Sequence, residues 1–109
     1  MLTRPFMRLI REVEVPCIPL QSVIDTHAKG THIDLLNIDV EGMGLSVLRS
    51  FDITKIRPAV ICIEDDDLDF SQENFASGIH EHLVTHGYAL FTRVGHSSLY
   101  KDIASSFVV

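Results

Sequence analysis

The sequence predicts an α/β fold in which a mainly parallel sheet is flanked by helices and closed by a C-terminal antiparallel hairpin. Three observations carry this. Strand-like and helix-like segments alternate along most of the chain. Two runs, residues 33–40 and 59–64, are too rich in branched apolar residues for strands with one wet face. Near the end, Gly95-His96 separates two segments of alternating polarity.

Each element has a local cause. Val13-Glu14-Val15 alternates and predicts a first strand, after which Pro16 and Pro19 interrupt the backbone. Leu20, Val23, Ile24 and Ala28 fall on one helical stripe, so a helix ending at Gly30 is expected. Residues 33–40 read as a parallel strand covered on both faces, because seven or eight residues suit a strand better than a helix. Gly42 and Gly44 allow a tight exit, and Leu45, Val47, Leu48 and Phe51 predict a short helix facing inward. Residues 59–64 form a second buried strand ending in a carboxylate, and the acidic run 64–69 reads as a loop. Phe75, Ala76, Ile79 and Leu83 recur at helical spacing, with Ser71 as the expected start and Gly87 as the stop. Residues 88–94 alternate as a strand, and residues 97–101 return antiparallel. No repeat or linker-like tract divides the chain, so residues 1–109 are read as one domain.

Composition narrows the function classes. The 109 residues are 46% hydrophobic and 22% charged, which excludes a disordered or fibrous chain. Nine Lys and Arg against 15 Asp and Glu give a net charge of -6, a balance that repels phosphate backbones and anionic membranes. Nucleic acid and membrane are therefore not expected partners. The early arginines Arg4, Arg8 and Arg11 are interspersed with Glu12 and Glu14 and read as a solvated stretch. Cys17 and Cys62 form no Cys-x-x-Cys pair, which fits a reducing, cytoplasmic location rather than a disulfide framework. No apolar run reaches the roughly 18 residues a membrane helix needs.

In open parallel sheets, ligands sit beyond the carboxyl ends of strands. Both buried strands end in acids here: Asp39 and Glu41 follow the first, and Glu64 ends the second. If the strands are neighbours, three carboxylates share one rim. Such a group can accept a proton from a hydroxyl, hold ligand hydroxyls, or bind a hard divalent cation. The plainer alternative is that each acid caps the following helix and points into water.

Around these acids lies a broader pattern. Ile38-Asp39-Val40-Glu41-Gly42, preceded by residues 33–37 and followed by Leu45 and Val47-Leu48-Arg49, resembles the FkbM family of methyltransferases. The resemblance continues through residues 57–64, His86-Gly87-Tyr88-Ala89-Leu90 and Ser98-Leu99-Tyr100, spanning about residues 15–100. It implies a Rossmann-like methyltransferase fold, S-adenosylmethionine as cofactor, and methylation of hydroxyl oxygens on sugars or natural products. A small-molecule or glycan hydroxyl acceptor is thus the implied partner. Asp39 is the first candidate for proton acceptance or acceptor positioning, Glu64 the second, and Glu41 would orient the loop or bind substrate. Asp39 and Val40 would also lie against the cofactor.

The sequence departs from the family twice. Gly44 and Ser46 stand where relatives usually carry acids. No glycine occurs before Pro19, so the glycine-rich cofactor turn is absent, and the chain matches the C-terminal half of such a domain, an incomplete form of the fold. The 33–40 strand would then have a bare edge, which invites homodimerisation unless the 13–15 strand covers it. A noncatalytic remnant or interaction module is the alternative function, and a divalent-metal hydrolase using the acidic rim is a weaker third.

The histidines offer less. Among His80, His82 and His86, only the last two have the four-residue spacing of a shared metal ligand pair, and His80-Glu81-His82-Leu83-Val84 lacks the second histidine of a zincin motif. They read as polar helix surface, with no metal site, and His96 reads as a turn residue.

Overall fold

The computed structural model describes residues 8–66, 68–69 and 74–105. Their elements are α1 Leu20–His27, β1 Leu35–Ile38, α2 Gly44–Arg49, β2 Val60–Glu64, β3 Leu68–Asp69, β4 Asn74–Phe75, α3 Ile79–Thr85, β5 Tyr88–Val94 and β6 Ser97–Asp102. One four-stranded sheet has the order β1-β2-β6-β5, and β3 pairs with β4 apart from it. The domain is thus a small α/β unit built on a mixed sheet.

The central expectation about neighbours holds. β1 and β2 pair in parallel, with Leu35 beside Val60 and Ile38 beside Ile63. The expectation of a mainly parallel sheet does not, because β2–β6 and β5–β6 are both antiparallel. Turning through Gly95 at φ 61°, the chain sends β6 back between β2 and β5 rather than to their outside. That one reversed strand makes two antiparallel ladders, although β1, β2 and β5 all run the same way.

Alternation along the strands separates two faces. Ile38, Ile61, Ile63 and Tyr100 join Ile24 of α1, Leu48 of α2, and Ile79 and Leu83 of α3 in one buried cluster, with Leu36 packed against it. On the other face Leu35 is 57% exposed, Asn37 is exposed, and Cys62 and Leu99 are half-buried. The expected strand over 33–40 is therefore corrected: four of its residues pair, and among the described residues the helices cover one face.

Two further boundaries differ. Residues 8–19 are exposed and carry no secondary structure, so Val13-Glu14-Val15 forms no strand. A strand needs a neighbour to satisfy its backbone, and two nearby prolines lack the N–H to offer one. The third helix begins at Ile79, because Gly78 at φ 82° breaks the helical path from the preceding residues, and Phe75 belongs to β4. Its expected start at Ser71 lies outside the described residues. The stop is as expected, with Gly87 left-handed at φ 84°.

A staple closes the end of the sheet opposite the strand-end acids. The Arg57 guanidinium donates to Asp102 through Nη2 at 2.7 Å and Nε at 3.3 Å, and to the carbonyls of Ile53 and His86 through Nη1. It also lies 4.5 Å over the Tyr88 ring. Tyr88 in turn donates its hydroxyl to the Pro58 carbonyl at 2.7 Å. These contacts join the β2 entry, the α3 exit and the end of β6.

His82 gives the fold a pH dependence. Its Nε2 is buried without a partner among the described residues. Burial, then the neighbouring His86 and Arg49, hold its pKa below the ordinary 6.5. A depressed pKa contributes stability above 6.5 that is lost as pH falls through the folded-state value. Thermal unfolding followed from pH 7.5 to 5 is expected to show a falling midpoint that flattens in His82→Gln; an equal slope in both proteins would contradict this.

Candidate active site

The strand ends build the site. Parallel pairing in register puts Glu64, one residue past Ile63, level with Asp39, one residue past Ile38. The chain then turns sharply, with Glu41 at φ 49° and Gly42 at φ 87°, and the Met43 N–H donating to the Val40 carbonyl at 3.2 Å. Two consecutive left-handed residues define a tight turn of the primed type. Glycine accepts that conformation freely, but for Glu41 it costs on the order of 1 kcal/mol. The strained turn folds Glu41 back, so that oxygens of Asp39, Glu41 and Glu64 lie within 4.8 Å of one another.

The electrostatics follow from this crowding. Asp39 and Glu41 are exposed and Glu64 is half-buried. A side-chain hydrogen bond with Asp39, then burial, then the charges of Asp39, Asp66 and Glu41 push Glu64 up to about 7 from its ordinary 4.5. Like charges this close cannot all ionise cheaply, which favours the protonated form of Glu64. The same spacing is one that a hard divalent cation could bridge.

A cavity of about 180 Å³ opens beside the rim, lined by Gly42, Gly44, Glu64, Asp65, Asp66, Ser77 and Ile79. Gly44 explains one departure noted in the sequence. A Cβ there would lie 2.9 Å from the Ile63 side chain and 3.3 Å from that of Ile79, so an acid has no room at this position. A larger groove of about 730 Å³ lies at the other end of β1, between α1 and residues 52–57. Its charges are largely committed, Lys55 to Asp52 and Arg57 to Asp102. The smaller cavity, next to the converging carboxylates, is the better candidate for chemistry.

Several rim residues were not legible beforehand. Asp65 is buried, accepts from Ser77 Oγ at 2.9 Å, and Ser77 accepts from the first N–H of α3 at Ile79. Arg93 donates to the Asp65 carbonyl and to Ser98 Oγ, each at 2.7 Å, and so fixes the loop after β2. His96, read as a turn residue, places Nδ1 2.9 Å from Asp66. Ser98, a hydroxyl in the alternating strand 97–101, was the available signal, since a buried polar group without a partner would be costly. His80 instead meets the Tyr100 hydroxyl at 2.9 Å, and His86 Nδ1 donates to the His82 carbonyl at 2.6 Å. His86 Nδ1 is therefore occupied within its own helix.

The geometry now meets the comparisons. The family model described as the methyltransferase FkbM domain matches residues 2–90, more than three-quarters of the chain. The chain belongs to the FkbM methyltransferase family. No curated protein and no solved structure matches it. Within this FkbM chain, Asp39, Val40, Glu41 and Gly42 all fall inside the matched span, as does Glu64. Among the described residues, no helix is long and apolar enough to cross a membrane.

Proposed function

We propose that this FkbM chain serves methyl transfer from S-adenosylmethionine to a hydroxyl oxygen of a sugar or natural product. The carrying observation is the meeting of three carboxylates within 4.8 Å, beside a small cavity, in a chain of this family. The donor set suits the cofactor's charged end, since a sulfonium cation beside carboxylates is favoured by charge. Asp39 and the exposed Val40 at the end of β1 are the residues that would hold it. When bound, S-adenosylmethionine supplies an electrophilic methyl group.

The chain's own residues prepare the acceptor. Asp39 orients the hydroxyl, and the Asp39–Glu64 pair accepts its proton. A carboxylate near pKa 4 is a weak base for an alcohol, whereas one raised towards 7 is a better match. Glu41 holds the turn over the rim and hydrogen-bonds further acceptor hydroxyls. Two free cysteines, Cys17 exposed and Cys62 half-buried, support a reducing cytoplasmic setting.

The second reading is a noncatalytic interaction module. It is favoured by the edge of β1, which is open among the described residues. Calorimetric titration with S-adenosylhomocysteine at several protein concentrations separates the two. Saturable heat, abolished in Asp39→Asn, is expected under the first reading. Absence of heat from folded protein at every concentration would establish the second.

A further inference from the structure

The open edge of β1 and the exposed segment before α1 complement each other. Among the described residues β1 pairs on one side, with β2. Residues 8–18 make no backbone hydrogen bond among the described residues. The segment holds Leu9, Ile10, Val13, Val15 and Ile18 in water at exposures of 60% to 85%.

Charge selects the occupant. If two β1 strands paired antiparallel about their centre, Leu35 would face Ile38, and Asp34 of each copy would face Asp39 of the other. Like charges directly opposite oppose that pairing. The exposed segment has the opposite sign where it matters. Laid antiparallel along β1 with Arg11 opposite Asp39, its start, with Arg8 and Arg11, lies at the acidic end, and Val13 and Val15 come opposite Asn37 and Leu35. Laid parallel with Val15 beside Leu35, it would carry both arginines away from those acids and set Glu14 against Asp34 instead. Eleven residues extended span about 36 Å, ample to reach a neighbouring molecule.

We infer that two copies of this chain form a twofold dimer in which residues 8–18 of each add as an antiparallel strand to the free edge of β1 in the other. The exchange is reciprocal and closed, so it satisfies both edges without propagating into a filament. Main-chain hydrogen bonds hold the strand, and the arginines fix its direction. The inference does not depend on methyl transfer.

Sedimentation velocity of the full chain over a range of concentrations tests it. The expected result is a dimer that weakens with added salt, as exposed ion pairs are screened, and that loses at least tenfold in affinity in R8E/R11E. The V13P/V15P variant, altered only at exposed positions, is expected to be a folded monomer. A V15C/L35C variant on a C17S/C62S background should oxidise to a covalent dimer. A monomer at all concentrations, a dimer insensitive to both segment variants, or a cross-link formed within one chain would each overturn the proposal.

Discussion

Asn in place of Asp39 is expected to lower methyl transfer to a hydroxyl acceptor by about 10²–10⁴-fold, the usual range for losing a positioned acid–base group. The change is nearly isosteric and lies at an exposed strand end, so the unfolding midpoint should not fall. The native rate is expected to rise with pH through about 7, as Glu64 gives up its proton. In Asp39→Asn the residual rate should lose that inflection, because the hydrogen bond and the charge that raise Glu64 are both gone. A variant with lower rate but the same inflection near 7 would assign the proton to another group. Glu64→Gln is expected to remove the inflection as well.

Arg57→Ala is expected to have the largest effect on stability. Asp102 is 6% exposed, and the guanidinium supplies two of its hydrogen bonds. Removing the cation leaves a buried carboxylate without its charge partner, at a cost of about 3 kcal/mol, or roughly 12 °C in a domain of this size. Two backbone carbonyls and the Tyr88 ring lose their contact too. Arg57→Lys should recover part of the loss, since an ammonium keeps the charge without the fork. Pairing Arg57→Met with Asp102→Leu should recover most of it, because no lone charge remains. A sign follows for pH. The Arg57 hydrogen bond holds Asp102 below its ordinary 3.8, so the stability it lends is present above that value and is lost as pH falls through the lowered pKa. Urea unfolding at pH 7 and pH 3 is expected to separate native from Arg57→Ala widely at the first and narrowly at the second.

What the sequence disclosed depended on how local each signal is. β1 beside β2, and β5 turning into β6, were readable because branched apolar runs and a two-residue turn act over a few positions. The mixed character of the sheet was not readable, since nothing in residues 97–102 says which neighbour the returning strand will take. The first strand failed for a related reason: Val13-Glu14-Val15 has the period, but period alone does not decide whether a sheet edge takes a segment up, and residues 8–19 carry no strand. The start of α3 was overrun because Phe75 keeps helical spacing with Ile79, while the φ of Gly78 is set by the loop it joins. At the site, Asp39, Glu41 and Glu64 were legible as strand ends. Asp65, Ser77, Arg93 and His96 were not, because their roles arise from contacts across the sheet end that no sequence spacing encodes.

The family places the chain among methyltransferases, but the chemistry proposed for it rests on one physical claim, that neighbouring strand ends force Glu64 to keep its proton to neutral pH. Side-chain carboxyl ¹³C shifts of Glu64, followed by NMR from pH 3 to 9, test this directly. The account predicts a midpoint at about 7 that drops towards 4.5 in Asp39→Asn. A midpoint near 4.5 in the native chain, unmoved by that substitution, would contradict it.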